Sequence, residues 1–410
     1  MKKSKLKDVS TLFAGYPFDG HLYCSEGVRV VRGDNVTIGS LRWDADKRWN
    51  LPFKEKDEYS LKDEDIVIGM DGSRVGRNRA MVLESDLPLF LAQRVACVRN
   101  NERSNQKFLY YSIFNSRFEQ YINTIHTGTS IPHISLEQLG DYSFPLPELN
   151  VQKRIGEFLF LLDKKITLNM RMNAELEAMA KQLYDYWFVQ FDFPDENGNP
   201  YKSSGGKMVY NSTLKREIPA GWEVKNLFYI ANYYNGLACQ NYRPTEGETS
   251  LPVIKITEMH NGFNSETERA SSNIPSEAII ENGDVLFAWS ASLEVMLWGL
   301  GEGALNQHIF KVTSNNGFPK SFYYYQLLEY VGHFKKIAEA KKTTMGHITK
   351  DHLEQSQIVV PPTTDLPNQL EEKLEPIMDK IVSLSSERIY LTHLRDSLLP
   401  MLMNGQVTVE

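Results

Sequence analysis

Residues 151–187 read VQKRIGEFLFLLDKKITLNMRMNAELEAMAKQLYDYW, and this stretch decides the fold because it has no proline, and no glycine after Gly156. Apolar or amide side chains recur in alternating steps of four and three residues, the spacing of a coiled-coil seam. The seam positions are Ile155, Leu159, Leu162, Ile166, Asn169, Asn173, Leu176, Ala180, Leu183 and Trp187. The pattern predicts one long helix that needs a partner helix, because so narrow an apolar stripe is not stable alone in water.

The same spacing recurs at the other end of the chain. Its positions are Leu370, Leu374, Ile377, Ile381, Leu384, Arg388, Leu391, Arg395, Leu398 and Leu402. We predict that the two helices pair antiparallel, with Arg388 and Arg395 facing the amides of Asn169 and Asn173, whose burial would fix the register. The alternative is two unrelated amphipathic helices, each packed on its own neighbouring domain.

Length, composition and charge limit the class of protein. A chain of 410 residues with 41% hydrophobic and 24% charged residues is typical of a globular protein with two or three domains. The formal net charge of −7 means that any binding to nucleic acid must come from local basic clusters. Three scattered cysteines favour a reducing cytoplasm, and no run approaches the roughly 18 apolar residues of a membrane span.

Two parts of the chain repeat each other. His133-Ile134 matches His347-Ile348 at an offset of 214 residues (347 − 133). The same offset matches Gln93 with Gln307, Val98 with Val312, Phe108 with Phe322, Tyr110-Tyr111 with Tyr324-Tyr325, Leu139 with Leu353 and Pro147 with Pro361. Upstream the offset grows to 219 for Asp65 and Asp284 and to 223 for Val30 and Val253, as insertions in surface loops would produce.

The repetition predicts the order domain, helix, domain, helix. In the first repeat, Val28–Val31, Ile66–Ile68 and Arg94–Val98 predict strands, and Gln106–Ile125 predicts a helix, so the fold class is α+β. An antiparallel helix pair would relate the halves by an internal pseudo-two-fold axis. The predicted segments are a first domain (1–147), a central helix (148–190), a linker rich in Gly, Pro, Ser and Asn (191–219), a second domain (220–361) and a C-terminal helix (362–410).

The sequence offers no catalytic motif. The proline pair in Val360-Pro361-Pro362-Thr363 lacks the polar first and aromatic last residue of an amino-methyltransferase, and Gly205–Met208 lacks the hydroxyl residue of a phosphate-binding loop. Asp63–Asp65 is typical of a solvated turn rather than of a nuclease centre. His and Cys are not clustered for a metal, and we assign no catalytic role to the matched pair His133 and His347.

Local basic clusters are more informative. The glycine-punctuated loop Gly69–Arg79 carries three arginines, which can pair with guanine edges or phosphates in a DNA groove or can form surface ion pairs only. The matching loop Ala288–Gly303 has no Arg or Lys, so the second repeat would use Ser290, Ser292, Asn306 and Gln307 or other loops. The candidate DNA-binding residues are Arg42, Arg74, Arg77, Arg79, Lys255, His260, Asn261, Lys341 and Lys342.

Several stretches together resemble one known family, the specificity (S) subunits of Type I restriction-modification systems. They are LLDKKITLN (161–169), LEAMAKQLYDYWFVQFDFP (176–194), GNPYKSSGGKM (198–208), IPAGWEVKNL (218–227) and LRDSLLPMLMNGQV (394–407). With the repeated domains, the resemblance covers nearly the whole chain.

The resemblance implies two target-recognition domains, each recognising one half of a split sequence in double-stranded DNA. It implies that the helices dock two modification (methyltransferase) subunits, which bind S-adenosylmethionine and methylate adenines. Two restriction subunits would use ATP with Mg²⁺ to cleave unmethylated DNA as a defence against foreign DNA. This chain itself would be non-catalytic and would bind no cofactor.

The predicted helix length fits a spacing role. The 37 residues from Val151 to Trp187 span roughly 55 Å as a helix, compared with about 34–36 Å for one turn of B-DNA. We therefore predict that the helices set the spacer between the two recognised half-sites. The alternatives are a self-contained DNA-modifying enzyme with a cryptic site and a coiled-coil scaffold that does not bind DNA.

Overall fold

The computed structural model describes residues 2–54, 56–72, 74–125, 133–290, 292–340 and 347–409. They fall into two compact units, the first comprising residues 1–165 and 392–410 and the second residues 166–391. Each unit therefore contains one predicted domain and a segment of each long helix. No helix among the described residues is long and apolar enough to cross a membrane.

The first unit combines small sheets with short helices. Its elements in chain order are β1 (Lys2–Lys5), α1 (Leu6–Val9), β2 (Ser10–Ala14), β3 (Val28–Val31), β4 (Arg48–Trp49), β5 (Ile66–Gly69), β6 (Arg79–Met81), β7 (Leu89–Leu91), β8 (Val95–Asn100), α2 (Gln106–Ile113), α3 (Ser116–Ile125), α4 (Leu136–Gly140), β9 (Ser143–Leu146) and the start of α5 (Leu149–Tyr184). The strand orders are β2-β8-β5-β6, β4-β3-β7 and β1-β9. Short 3₁₀ turns lie at Gly20–Leu22, Gly33–Asn35 and Glu84–Asp86.

The second unit repeats this arrangement. After α5, which continues as a π-helical turn over Asp185–Val189, come β10 (Met208–Asn211), β11 (Arg216–Pro219), β12 (Glu223–Lys225), α6 (Leu227–Ile230), β13 (Ala231–Asn235), β14 (Ser250–Ile254), α7 (Ile256–Asn261), β15 (Arg269–Ser271), β16 (Ile279–Ile280), β17 (Val285–Ala288), β18 (Glu294–Leu297), β19 (Gly303–Leu305), β20 (Ile309–Ser314), α8 (Lys320–Ala340), α9 (Lys350–Glu354), β21 (Ile358–Val360) and α10 (Asp365–Asn404). The strand orders are β13-β20-β17-β18, β15-β14-β19-β16, β12-β21 and β10-β11. Short 3₁₀ turns lie at Cys239–Asn241 and Ser276–Ala278.

Strand registers confirm the internal repeat residue by residue. In the first unit β3 pairs parallel with β7, placing Val31 opposite Leu91. In the second unit β14 pairs parallel with β19, placing Ile254 opposite Leu305. These partners differ by 223 residues on one strand (254 − 31) and by 214 on the other (305 − 91), two of the three offsets found in the sequence. Loops of different length therefore separate the same strands.

A glycine in each unit marks one shared close approach. A Cβ atom added to Gly15 would lie 2.1 Å from the carbonyl oxygen of Leu91, and one added to Gly236 would lie 2.2 Å from that of Asn306. The glycines occupy matching positions just after β2 and β13. A side chain at either position would separate this backbone from the end of the parallel strand pair.

The long helices pair antiparallel within each unit. In the second unit, Asn169 Nδ2 donates to Glu387 Oε2 at 2.8 Å and Asn173 Nδ2 donates to Ser385 Oγ at 2.8 Å. In the first unit, Arg395 Nη1 lies 2.6 Å from Asp163 Oδ1. Residues later in α5 therefore contact residues earlier in α10, as antiparallel pairing requires. The predicted pairing is confirmed, but the seam amides contact Glu387 and Ser385 rather than Arg395, which instead pairs with Asp163.

Most predicted seam residues are buried or half-buried. Ile155, Leu159, Ile166, Asn169, Leu374, Ile381 and Leu384 are buried, and Leu162, Asn173, Leu176, Leu183, Ile377, Leu391 and Leu398 are half-buried. Met378 and Leu399, one position after Ile377 and Leu398, are buried instead. Each helix packs against its domain as well as against the other helix, which widens the buried face beyond a two-position seam.

Two sequence predictions differ from the structure. The predicted helix Gln106–Ile125 is broken into α2 and α3, because the Asn115 side chain donates to the carbonyls that end α2 and accepts from the amides that begin α3. The segment 191–219, predicted as a linker, contains the β10-β11 hairpin and buries Phe191 and Phe193. The ring of Phe193 stacks on Trp222 with centroids 5.2 Å apart.

Candidate nucleic-acid interface

The first unit has an open cleft at the carboxyl ends of β3 and β7. Parallel strands end on the same side of a sheet, so Arg32, which follows β3, meets the turn at 92–95, which follows β7. The cleft has a volume of about 520 Å³. Its lining includes Tyr16, Tyr23, Arg32, Arg42, Arg74, Gln93 and Arg94. Cations beside aromatic rings suit an anionic, base-bearing ligand.

The second unit has a cleft in the same place, at the carboxyl ends of β14 and β19. Its volume is about 380 Å³. Its lining includes Gln240, Lys255, Thr257, Asn306, Gln307 and His308. The offsets of the repeat match Lys255 with Arg32, Gln307 with Gln93, and His308 with Arg94. The two clefts therefore share a frame but differ in side-chain chemistry.

The turn that follows the second parallel strand is the same in both units. Val95 N donates to Ala92 O at 3.0 Å, and Ile309 N donates to Asn306 O at 3.1 Å. Gln93 N donates to Tyr16 O at 3.0 Å, and Gln307 N donates to Leu237 O at 2.8 Å. We call residues 92–95 and 306–309 the cleft turns. Their two central residues, Gln-Arg in one unit and Gln-His in the other, are exposed or half-buried at the cleft.

Surface ion pairs position the cations of the first cleft. Arg32 Nη2 lies 2.8 Å from Asp34 Oδ2, and Arg94 Nη1 lies 3.2 Å from Asp71 Oδ2. Burial raises the pKa of Tyr23, so its phenol stays neutral and available for hydrogen bonding. These exposed pairs contribute little to stability, so their arginines can turn toward a phosphate or a base at small cost.

The second cleft is less cationic. Lys255 Nζ lies 2.9 Å from Glu268 Oε1, which holds the pKa of the Glu268 carboxyl below its usual range. Beside this pair the lining includes three amides, a threonine, Ile256 and His308, whose ring lies 5.6 Å from that of Trp289. Amides can both donate and accept, so this surface suits base edges better than a bare anion.

The three arginines of the loop Gly69–Arg79 differ in exposure, and only some of them can contact DNA. Arg74 and Arg77 are exposed, and Arg74 lines the first cleft together with the predicted Arg42. Arg79 corrects the prediction, because its side chain is only 3% exposed and its Nη2 lies 2.9 Å from Glu119 Oε1. Burial lowers the pKa of Arg79, and its guanidinium lies over the ring of Phe114 at 4.7 Å. Arg79 is therefore a structural residue.

Of the candidate DNA-binding residues in the second unit, some line the cleft and others do not. Lys255, Asn306 and Gln307 line the cleft. His260 pairs with Glu294 at 3.1 Å, and neither it nor Asn261, at the far end of α7, is among the cleft-lining residues. Ser290 is buried and Ser292 is half-buried. Lys341 and Lys342 lie outside the described residues.

Sequence reasoning missed Arg32, Arg94, Gln240 and His308 as cleft residues. Arg32 and Arg94 lie 62 residues apart in sequence (94 − 32), and only the parallel pairing of β3 with β7 brings them together. The signal that could have found them is the repeat itself. The repeat matches Arg32, after β3, with Lys255, after β14. It also matches Gln93-Arg94 with Gln307-His308.

The acids and histidines considered as catalytic candidates have structural partners. Asp65 is buried rather than solvated, and its Oδ2 lies 2.6 Å from Arg99 Nη2. His133 hydrogen-bonds Asp71, and the ring of His347 packs on Trp289 at 5.7 Å. Among the residues that the structure describes, no group of His, Cys, Asp and Glu is arranged to hold a metal ion.

Comparisons with known proteins match both repeats. The model of the Type I restriction modification DNA specificity domain matches residues 1–178 and 219–383. The MjaIX specificity subunit of a Type I restriction enzyme from Methanocaldococcus jannaschii is 26% identical, over 74% of this chain and 69% of that protein. The HindI specificity subunit from Haemophilus influenzae is 23% identical, over 99% of each chain.

A solved structure shares the fold. The S subunit of a Type I restriction-modification system from M. genitalium superposes with a TM-score of 0.63, over 98% of this chain and 95% of that one. At 15% identity this similarity concerns the fold alone. The two domain matches coincide with the two repeats found in the sequence and in the strand registers.

Proposed function

The chain belongs to the Type I restriction modification DNA specificity family, and from that membership we propose that it recognises a bipartite sequence in double-stranded DNA. Each unit would contact one half-site through its cleft and the loops around it. The observation that carries the proposal is the pair of clefts built on the same strands and turns but lined by different side chains. Such a pair can recognise two different base sequences with one architecture.

We propose that this chain recognises the DNA sequence and that partner subunits carry out the chemical reactions on the DNA. The side chains considered as catalytic candidates already have partners within the chain. Asp65 pairs with Arg99, His133 hydrogen-bonds Asp71, and the ring of His347 packs on Trp289. The modification subunits would bind S-adenosylmethionine and methylate adenines, and restriction subunits would use ATP with Mg²⁺. The proposed place of action is the cytoplasm, where DNA and a reducing environment that suits the free cysteines occur together.

The long helices are the proposed docking surface for two modification subunits. Large apolar side chains are exposed along α5 and α10, where neither helix covers them. They are Leu161 (60% exposed), Leu168 (48%), Met170 (54%), Met179 (50%) and Tyr390 (66%). Exposed apolar side chains on an otherwise paired helix suit a partner protein better than DNA, whose phosphates select cations.

The proposal is tested by selecting bound duplexes from a random DNA library with the chain assembled with modification subunits. We expect two short sequences separated by a fixed unread spacer, and an affinity that falls steeply as salt rises. A single continuous sequence, or no enrichment at all, would contradict the proposal. Incubating the purified chain with DNA, metal ions and S-adenosylmethionine should give neither cleavage nor methylation, and turnover would contradict the division of labour.

A further inference from the structure

We infer that Gln93 and Gln307 each contact an adenine, so that both half-sites contain an A·T pair at the matching position. The inference rests on the proposed function and adds the two residues and the base that the half-sites share. Both glutamines line their clefts as the second residue of a cleft turn. The other matched positions that line both clefts differ, at 32/255, 33/256, 34/257, 92/306 and 94/308, whereas the glutamine is the same.

The backbone around each glutamine is fixed by matched hydrogen bonds. Ala92 N donates to Val31 O at 3.0 Å, and Asn306 N donates to Ile254 O at 3.1 Å. Gly15 N donates to Val95 O at 3.3 Å, and Gly236 N donates to Ile309 O at 3.0 Å. With the bonds inside each turn, these contacts hold the cleft turns to the parallel strand pair from both sides. Both glutamines are therefore presented from the same rigid frame.

The amide itself selects the ligand. Its carbonyl oxygen can accept from adenine N6 and its amino group can donate to adenine N7, a bidentate pair that other bases do not offer in the major groove. A DNA phosphate has no hydrogen-bond donor for the amide carbonyl oxygen. The cations Arg32 and Lys255, at the same end of the strand pair, therefore suit the DNA phosphates better than the glutamines do. This division assigns the base to the glutamine and the phosphate to the cation.

The next residue of the turn distinguishes the two units. Arg94 follows Gln93, and His308 follows Gln307 with its Nε2 3.5 Å from the Gln307 amide nitrogen. A guanidinium and an imidazole contact different base edges. The half-sites should therefore share the adenine and differ beside it.

The test uses the full-length chain in its complex with modification subunits and a library of duplexes with both half-sites randomised. Gln93→Ala should reduce the preference for adenine at one position of the first half-site by roughly tenfold or more, the scale of a lost bidentate contact. Gln307→Ala should do the same in the second half-site only. Gln120→Ala and Gln355→Ala are the matched controls, because both side chains are exposed and neither lines a cleft.

A second variant keeps the test decisive if truncation disturbs the fold. Gln93→Arg should move the preference at the same position from adenine to guanine, the base that arginine contacts in a bidentate manner. Unchanged adenine preference in either variant, or an equal loss at both half-sites, would overturn the inference. If the wild-type protein selects two half-sites that share no A·T pair at the matching position, the inference fails but the proposed function stands. If the wild-type protein selects no half-site at all, the proposed function itself fails.

Discussion

At the scale of single residues, Arg77 and Arg79 show how two arginines of one loop, two residues apart, take opposite roles. Arg79 begins β6 and pairs with Ile68, and its guanidinium enters a pocket formed by Glu119 and the rings of Phe114 and Phe118. Arg77, two residues earlier, is exposed. The difference comes from strand pairing, which the local sequence does not reveal.

This difference predicts separate effects on binding and on stability. Arg74→Ala combined with Arg77→Ala should weaken recognition of the first half-site alone, because both side chains are exposed and Arg74 lines its cleft. Arg79→Ala should instead lower the free energy of unfolding by roughly 2–3 kcal/mol, because it removes a buried guanidinium together with its partly exposed ion pair to Glu119 and its packing on the rings of Phe114 and Phe118. Selection from a half-site library and urea unfolding measure the two effects. Equal loss at both half-sites for the double variant would contradict this assignment.

A second residue-scale prediction concerns Asp141, which joins α4 to the N-terminal segment. Lys7 Nζ and Lys5 Nζ lie 2.8 Å and 2.9 Å from its Oδ1, and their hydrogen bonds lower the pKa of Asp141 to about 2. A lowered pKa stabilises the fold above the unfolded value near 3.8, and this contribution is lost as pH falls toward about 2. The stability advantage over Asp141→Asn should be small, because the groups are exposed, and should vanish between about pH 4 and pH 2.

Urea unfolding of both proteins at low salt across this pH range measures the Asp141 effect. The wild type should lose its advantage over the variant as the acid limit is approached. A difference that stays constant with pH, or grows as pH falls, would show that Asp141 acts through packing and not through its charge.

At the scale of elements, the helix pair is fixed by polar contacts inside an apolar seam. Asn169 is fully buried and donates to Glu387, and Asn173 donates to Ser385 and to the carbonyl of Ile381. Shifting one helix by a turn would leave the buried amide of Asn169 and the half-buried amide of Asn173 without these partners, which costs more than the hydrogen bonds themselves contribute. The apolar residues drive the pairing, and the amides select the register.

A double-mutant cycle measures this contribution. Asn169→Ala, Glu387→Ala and the double variant should give a coupling energy of about 1–3 kcal/mol, because a buried amide donates to a charged acceptor. The control cycle uses Arg171 and Glu175, an exposed pair 2.9 Å apart on α5 with side chains 78% and 65% exposed. Its coupling should stay below about 0.5 kcal/mol. Similar values for the two cycles would mean that Asn169 does not hold the register.

The elements also show how far sequence reasoning extends. Periodicity predicts α5 and α10, since a seam is a local pattern. The predicted strand Arg94–Val98 corresponds to β8, and the offset of 214 residues matches its Val98 with Val312 of β20. The Gly, Pro and Ser content of 191–219 predicts a linker, whereas in the structure Phe193 stacks on Trp222 and packs this segment onto the second unit. The clefts were missed because parallel pairing joins residues distant in sequence, which periodicity does not detect.

At the scale of the whole molecule, duplication allows one chain to carry two recognition units that vary independently. Strand registers, glycines and cleft turns are shared, while Arg94 and His308 differ at one matched position. Recognition residues on turns held by a rigid frame can change without cost to the core. The helices are common to both units, so a change in them should alter the spacing between half-sites and leave the bases unchanged.

Inserting one heptad into each long helix tests the spacing role. Seven residues placed after Lys165 in α5 and seven placed after Leu391 in α10 keep the seam in phase and leave the contacts of Asn169 and Asn173 with α10 intact. They lengthen both helices by about 10 Å, roughly three base pairs of B-DNA. Selection from a random library should return the same two half-sites with a spacer longer by about three base pairs. The control places the same heptad after Gly198, an exposed turn with positive φ outside the helices, and should leave the spacer unchanged. An unchanged spacer in the helix variant, together with intact half-sites, would mean that these helices do not set the spacer.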